Sequence, residues 1–276
     1  MLANSRLYSF LDHKNGFNIH FLEGQKLIHD LVLMHPLKGT GFSYFRDMVL
    51  GLMPIIHFLK PLESLGIYLD SEEPYFRLKI ETNNAGHTRM LLLPEDFNNF
   101  PMELTGEVRV SKIVQNKSPY TSVLSLDKLA TKEVINRILS ESYQVPSKVE
   151  VSEISDQSIM VTKLPALNVN KIEDEELSLN EYIKKNHVKF HDIFEQAPND
   201  IEQIVQLFEA QGLSYLASKQ IDFFCPCSKE RMISNLKNMY HGKIEELMVG
   251  DAQLDIKCDY CNAQYVILEN ELKELN

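Results

Sequence analysis

The chain has 276 residues, of which 44% are hydrophobic and 24% are charged. These values are ordinary for a folded globular protein and argue against wholesale disorder. The length has room for one large domain or two ordinary ones and favours two parts. The 39 acidic and 28 basic residues give a formal net charge of −11. This balance argues against a nucleic-acid partner, because affinity for phosphate backbones comes mostly from lysine and arginine.

The longest apolar run spans residues 48–59 and contains Gly51, Pro54 and His57. It is shorter than the ~20 apolar residues that cross a bilayer, so no membrane partner is expected. The first residues lack the basic and then apolar pattern of a secretory signal. The expected location is therefore the cytoplasm, where thiols are kept reduced.

Residues 1–170 mix helix and strand patterns and are predicted to form the first domain. Between Ser43 and Lys60 the apolar residues repeat with the period of a helix face, with a kink expected at Pro54. Strands are predicted over residues 66–70, 75–81, 88–93, 103–113 and 120–126, a helix over 127–142, and a hairpin over 148–154 and 158–164. Strands joined by short turns favour a largely antiparallel sheet covered by helices, and so an α+β fold.

Residues 171–220 are predicted to be a helical linker. A helix-start signal at residues 198–200 precedes four apolar residues on one helix face, and Gly212 ends the pattern. These four residues are Ile201, Ile204, Val205 and Phe208. The pattern is typical of a helix that packs on the first domain, but it also fits a linker that packs there only under some conditions.

The four cysteines lie in the last part, residues 221–276, as Cys225, Cys227, Cys258 and Cys261. They form a C-x-C pair and a C-x2-C pair with 30 residues between them. Helices are predicted over 229–240 and 243–249, and strands over 253–257 and 265–269. Four thiolates satisfy the tetrahedral preference of Zn²⁺ and leave no position open, so we predict one structural or regulatory zinc ion per chain. Four buried free thiols and a metal-free redox pair are the alternatives.

Loss of such a metal would unfold the last part. Structural zinc contributes an apparent ~10–16 kcal/mol in small domains, whereas a whole domain is typically stable by only ~5–15 kcal/mol. Oxidation is one route to metal loss, because a disulfide sulfur is no longer a thiolate ligand. A Cys258–Cys261 disulfide would close easily, whereas a Cys225–Cys227 disulfide would be a strained and more reducible ring.

The cysteine segments resemble a known family. Cys225-Pro226-Cys227-Ser228-Lys229-Glu230-Arg231, followed by Cys258-Asp259-Tyr260-Cys261-Asn262 and Tyr265, is similar to the C-terminal zinc module of heat-shock protein 33, the redox-regulated 33 kDa chaperonin family. Residues 119–123, 140–146 and 221–224 are also similar to that family.

The resemblance implies a holdase chaperone and not an enzyme. It implies that the four cysteines hold zinc when reduced, and that oxidation forms disulfides within the neighbouring pairs, releases zinc and unfolds the linker. Apolar surface would then become available to unfolding client proteins, and oxidised members tend to form homodimers. The residues carried over are Cys225, Cys227, Cys258 and Cys261 as zinc ligands and redox sensors, and Ile201, Ile204, Val205 and Phe208 as client-binding candidates.

Two other functions stay open from the sequence. A non-catalytic adaptor would use a purely structural zinc module and would lose its function on oxidation. A thiol-disulfide oxidoreductase is a third interpretation, although the C-x2-C pair lacks the strand–helix setting that lowers a thiol pKa. His187 and His191 are four residues apart on a predicted helix face. With only Asp192 as an obvious carboxylate partner, they are interpreted as ordinary surface or packing histidines.

Overall fold

In the computed structural model the chain forms two compact units, residues 1–223 and residues 224–276. The structure describes residues 2–35, 37, 39–73, 75–94, 103–165, 177–196, 200–240 and 253–274. Helices and largely antiparallel strands confirm the predicted α+β class. The predicted helix over 243–249 and the start of the predicted linker lie outside the described residues. Within the described ranges, no helix is long and apolar enough to cross a membrane.

The helices and strands are numbered in chain order. The first unit contains β1 (Arg6–Asp12), β2 (Phe17–Glu23), α1 (Gln25–Met34), α2 (Thr40–Leu52), a 3-10 helix (Met53–Phe58), β3 (Glu63–Ser71), β4 (Phe76–Asn83), β5 (His87–Leu93), β6 (Glu103–Val114), β7 (Tyr120–Ala130), α3 (Thr131–Arg137), a π-helical turn (Ile138–Ser142), β8 (Ser147–Val151), β9 (Gln157–Lys163), α4 (Leu179–Gln196), α5 (Ile201–Ala210), β10 (Ser214–Gln220) and β11 (Asp222–Phe223). The second contains α6 (Lys229–Met239), β12 (Gln253–Lys257), β13 (Gln264–Leu268) and α7 (Glu269–Glu274).

The strands of the first unit form two sheets, where the sequence predicted one. Their strand orders are β10-β1-β2-β9-β8 and β11-β5-β4-β3-β6-β7. The hairpin of β8 and β9 returns to pair with β2, so that Ile19 lies opposite Val161. Such a long-range pairing leaves no local signal in the sequence, which explains why the division into two sheets was not predicted.

Two predicted helices differ in their limits. The helix expected over 43–60 ends at Leu52 and continues as a 3-10 helix through Pro54, because proline has no N–H group for the helical hydrogen bond. The helix expected over 127–142 begins only at Thr131. The residues before it stay extended because β7 pairs with β6, with Ala130 opposite Glu103.

The end of the predicted helical linker is a strand. β10 pairs antiparallel with β1, with Lys219 opposite Leu7 and Ser214 opposite Leu11. Gly212, at φ 82°, ends α5 in a conformation that favours glycine. The described linker residues therefore consist of two helices and an edge strand, and all of them belong to the first unit.

The central strands β1, β2 and β9 of the five-stranded sheet are largely buried on both faces. One face, which includes Leu22 and Met160, packs into the large core with α1, α2 and the second sheet. The opposite face packs against α4 and α5. We call this second face the aromatic sheet face; it consists of Tyr8, Phe10, Phe17, Ile19, Phe21, Ile159 and Val161. The linker helices therefore cover a large apolar surface of the first unit.

Candidate metal centre

Cys225 and Cys227 lie in the extended segment that leads into α6. The hydroxyl of Ser228 accepts a hydrogen bond from the backbone N–H of Arg231 at 3.3 Å and so caps the helix. The guanidinium of Arg231 donates to the carbonyl of Pro226 at 2.7 Å. These two bonds hold the C-x-C segment against the first turn of α6.

Cys258 and Cys261 lie at the turn between β12 and β13. The backbone N–H of Cys258 donates to the carbonyl of Ala263 at 2.9 Å, and the backbone N–H of Asn262 donates to the carbonyl of Cys258 at 2.8 Å. Asn262 has φ 59°, in the left-handed region that asparagine tolerates better than most residues. The two strands predicted here therefore pair as a hairpin, and its tight turn carries both cysteines.

The structure brings the four sulfurs together. Cys225 Sγ lies 3.7 Å from Cys258 Sγ, and Cys227 Sγ lies 3.2 Å from Cys261 Sγ. All four Sγ atoms lie within 4.8 Å of one another. An ion such as Zn²⁺ with four sulfur ligands at ~2.3 Å requires sulfurs roughly 3.8 Å apart. The four cysteines therefore fit a single four-coordinate metal ion.

The clustered thiols also affect one another's ionisation. Burial opposes the ionisation of Cys227, but the hydroxyl of Tyr265, 3.1 Å from its sulfur, and the other thiols lower its pKa to about 7. Burial and the neighbouring thiols raise the pKa of Cys225 and of Cys261. One thiolate therefore forms readily, whereas further thiolates need a cation that compensates their charge.

The second unit has little apolar core of its own. Among its described residues, Ile233, Ile267 and Leu272 form the buried cluster, and four partly buried side chains pack against it. An ion pair between Lys229 and Glu271 joins α6 to α7 at 2.5 Å, but a pair this exposed contributes little. Units of this size usually need a staple, and metal–thiolate bonds at the four cysteines would supply one.

The four client-binding candidates lie on α5 but differ in burial. Ile204 and Phe208 are fully buried against the aromatic sheet face, whereas Val205 is half-buried and Ile201 is 42% exposed. The ring of Phe208 stacks on that of Phe10, with centroids 4.2 Å apart. Ile204 and Phe208 can contact another protein only after α5 leaves the sheet.

Sequence reasoning missed the residue that anchors α4. The hydroxyl of Tyr182 donates a 2.9 Å hydrogen bond to Asp12 Oδ2, and its ring stacks on Phe17 with centroids 3.9 Å apart. Burial favours the neutral form of Asp12, but hydrogen bonds from Asn15 and Tyr182 outweigh it and lower the pKa of this carboxyl. Asp12 and Tyr182 are 170 positions apart, and neither lies in a recognisable motif.

Comparison with known proteins identifies the family. The family model described as Hsp33 protein matches residues 5–268. The chain belongs to the Hsp33 family. This finding confirms the resemblance seen in the cysteine segments. It also shows that the similarity to Hsp33 proteins covers nearly the whole chain.

The Hsp33 relatives with curated names are called 33 kDa chaperonin. The protein from Enterobacter sp. (strain 638) is 24% identical over 163 residues, which cover 56% of this chain and 53% of the relative. In this match the chain spans about half the length of the relative. The match to the 33 kDa chaperonin from Shewanella frigidimarina likewise covers 50% of that relative. The protein from Thermosipho melanesiensis is 19% identical over 280 residues, which cover 92% of each chain.

A solved Hsp33 structure has the same fold. The crystal structure of the 33 kDa chaperonin, a heat shock protein 33 homolog, from Thermotoga maritima superposes with a TM-score of 0.71. The match covers 99% of this chain and 97% of the other at 15% identity. At this identity the likeness shows a shared fold.

Proposed function

We propose that this chain is a redox-regulated holdase chaperone that works in the cytoplasm. In the reduced protein, Cys225, Cys227, Cys258 and Cys261 hold one Zn²⁺ ion, and the protein is inactive. The ion, when bound, supplies the cross-links that keep the second unit folded. The relatives' name, chaperonin, and the fit of the four sulfurs to one ion support this reading.

Oxidation is the activating step of the proposal. Disulfides form between Cys225 and Cys227 and between Cys258 and Cys261. In each, two thiolates lose two electrons to a peroxide such as H₂O₂, which takes up two protons from the solvent and is reduced to two molecules of water. The four sulfurs are then no longer thiolate ligands, so the metal is lost and the second unit loses its main source of stability.

The observation that carries the proposal is that linker helices bury the aromatic sheet face. The linker elements α4, α5 and β10 lie on or beside this face, and the chain runs from them directly into the cysteine segment. Release of the linker would uncover Phe10 and Phe21 on the sheet together with Ile204 and Phe208 on α5. Unfolding proteins expose apolar side chains, and this newly exposed surface is of the kind that binds them.

The test measures zinc release and chaperone activity in the same samples. Reduced protein is treated with peroxide at raised temperature, while zinc release and suppression of client aggregation are followed together. About one zinc per chain should leave as activity appears. A variant with Cys258→Ser and Cys261→Ser should lack both the tight zinc and its oxidation-dependent release. The molecular mass of the oxidised protein in solution tests whether homodimers form.

The adaptor alternative predicts a different result. If zinc is retained on oxidation, or is lost with no gain in aggregation suppression, the metal is only a structural staple. Turnover of a small disulfide substrate by the reduced protein would instead favour an oxidoreductase.

A further inference from the structure

We propose that His187 and His191 on α4 form a second metal site, for a divalent transition metal such as Zn²⁺, which stabilises that helix. The two histidines lie one helical turn apart, and both are exposed. The buried face of α4 carries Tyr182, Ile183, Phe190, Ile193 and Phe194. Because those side chains fix the rotation of the helix on the sheet, both imidazoles are held on its solvent side.

The two rings are arranged as a pair. Their centroids lie 6.4 Å apart and their planes differ by 28°. Imidazole nitrogens bind Zn²⁺ at ~2.0–2.1 Å, so side-chain rotation alone can bring one nitrogen of each ring to a shared ion. The backbone of the folded helix already provides the required spacing.

A carboxylate lies beside one of the rings. His191 Nδ1 lies 3.3 Å from Glu195 Oε1, which leaves Nε2 of the same ring for a metal. Metal-binding histidines usually donate their other ring N–H to a carboxylate in this way. Ligand atoms of His191, Asp192 and Glu195 also lie within 4.8 Å of one another, so two carboxylates add negative charge beside the His191 ring.

The ligand types define the class of metal. Imidazole suits zinc, copper and nickel, whereas Ca²⁺ and Mg²⁺ prefer all-oxygen sites. Two exposed imidazoles leave coordination positions for water, so this site should bind more weakly than four thiolates. It should fill after the cysteine centre as the free metal concentration rises.

Metal at this site would favour the packed linker. Unfolding of α4 separates the two imidazoles, so the ion binds the helical form and stabilises it by mass action. If the proposed function holds, free zinc would therefore raise the amount of oxidant needed for activation; this consequence rests on that function. The binding site itself does not depend on that function.

The test compares the whole reduced chain with a composition-matched variant. The double variant His191→Asp, Asp192→His keeps the same residues but moves the second histidine off the face of His187. Zinc per chain is measured by dialysis against buffered free Zn²⁺, with His29→Ala as a control at an exposed histidine on another helix. Wild type and His29→Ala should bind about one zinc more than the double variant and His187→Gln. Equal zinc in all four proteins would overturn the proposal.

Hydrogen exchange tests the effect on the helix. At free zinc about ten times the measured dissociation constant, amide exchange in residues 179–196 should slow about 10-fold in wild type and stay unchanged in the double variant. Extra zinc without slower exchange would overturn the claim that the metal stabilises α4. Zinc per chain and amide exchange are both compared between proteins that keep all four cysteines. The two tests of this site are therefore valid whether or not oxidation activates a chaperone.

Discussion

Gly86 lies so close to the carbonyl oxygen of Gln220 that a Cβ atom on it would stand 2.0 Å from that oxygen. Gly86 has φ 91°, and its own carbonyl accepts a 3.1 Å hydrogen bond from the backbone N–H of Asp222. The turn between β4 and β5 can therefore receive the end of the linker only because residue 86 lacks a side chain.

We expect Gly86→Ala to loosen the end of the linker. The added methyl group meets backbone, which cannot move without displacing Gln220. Gly16→Ala is the control, because Gly16 has φ 74° but no atom lies within 4 Å of a Cβ added there. This variant should lose only the ~1–2 kcal/mol of folding free energy that a left-handed backbone conformation costs a residue with a side chain. Thermal unfolding should begin at a lower temperature in Gly86→Ala than in Gly16→Ala. On the proposed function, Gly86→Ala should also become active at a lower peroxide concentration. Identical melting curves would contradict the close approach.

Substitutions on α5 separate packing from client binding. Phe208→Ala removes a fully buried ring and should cost ~3–5 kcal/mol of linker stability. On the proposed function, this loss should also lower the oxidant threshold for activity. Val205→Ala, at a half-buried position one turn earlier, should cost much less. If α5 contacts clients, Ile201→Ser should weaken aggregation suppression by the oxidised protein without changing its threshold. Unchanged suppression in that variant would place the main client contact on the sheet face.

Tyr182→Phe should destabilise the packing of α4 on the sheet. The lost hydroxyl leaves a buried carboxylate, Asp12, with one donor fewer, and hydrogen bonds to charged groups contribute ~1.5–3 kcal/mol. Hydrogen exchange in α4 reports the change directly. Phe190→Leu, which keeps the apolar character of a buried position on the same helix, is a comparison for packing effects alone.

The same carboxyl predicts a pH dependence. Because the pKa of Asp12 is lowered in the folded protein, its contribution to stability is complete above its unfolded pKa of ~3.9. That contribution is lost as the pH falls through the lower, folded pKa. Acid titration followed by circular dichroism should show Tyr182→Phe unfolding at a higher pH than wild type. Coincident acid transitions would contradict a stabilising role for this bond.

Tyr265→Phe should weaken metal binding at the cysteine centre. The phenol hydroxyl lies 3.1 Å from Cys227 Sγ, and loss of such an outer hydrogen bond typically costs 10–100-fold in metal affinity. Competition with a chromophoric chelator measures the change. Tyr240→Phe, at the end of α6 in the same unit, is the matched control. An affinity equal to that of wild type would show that the hydroxyl does not support the centre.

The features that could be predicted from the sequence depend on local chemistry. The spacing of the cysteines indicated a four-sulfur cluster, and Asp200 and Gly212 marked the ends of α5. The other features depend on partners that are distant in the sequence. Residues 214–220 carry no strong strand pattern, yet they form β10 because the edge of β1 accepts their backbone hydrogen bonds. Tyr182 likewise has no local feature that distinguishes it from other apolar helix residues, because the partner of its hydroxyl, Asp12, is 170 positions away.

Strand β1 is bordered by β2 on one side and by β10 on the other. When the linker leaves under the proposed function, β1 would become an edge strand with unpaired N–H and C=O groups. Such an edge can accept any extended segment through its backbone, whatever the side chains. The opened protein would then recognise clients by the extended form of an unfolded chain as well as by its apolar residues. This would let one chaperone serve proteins that share no sequence.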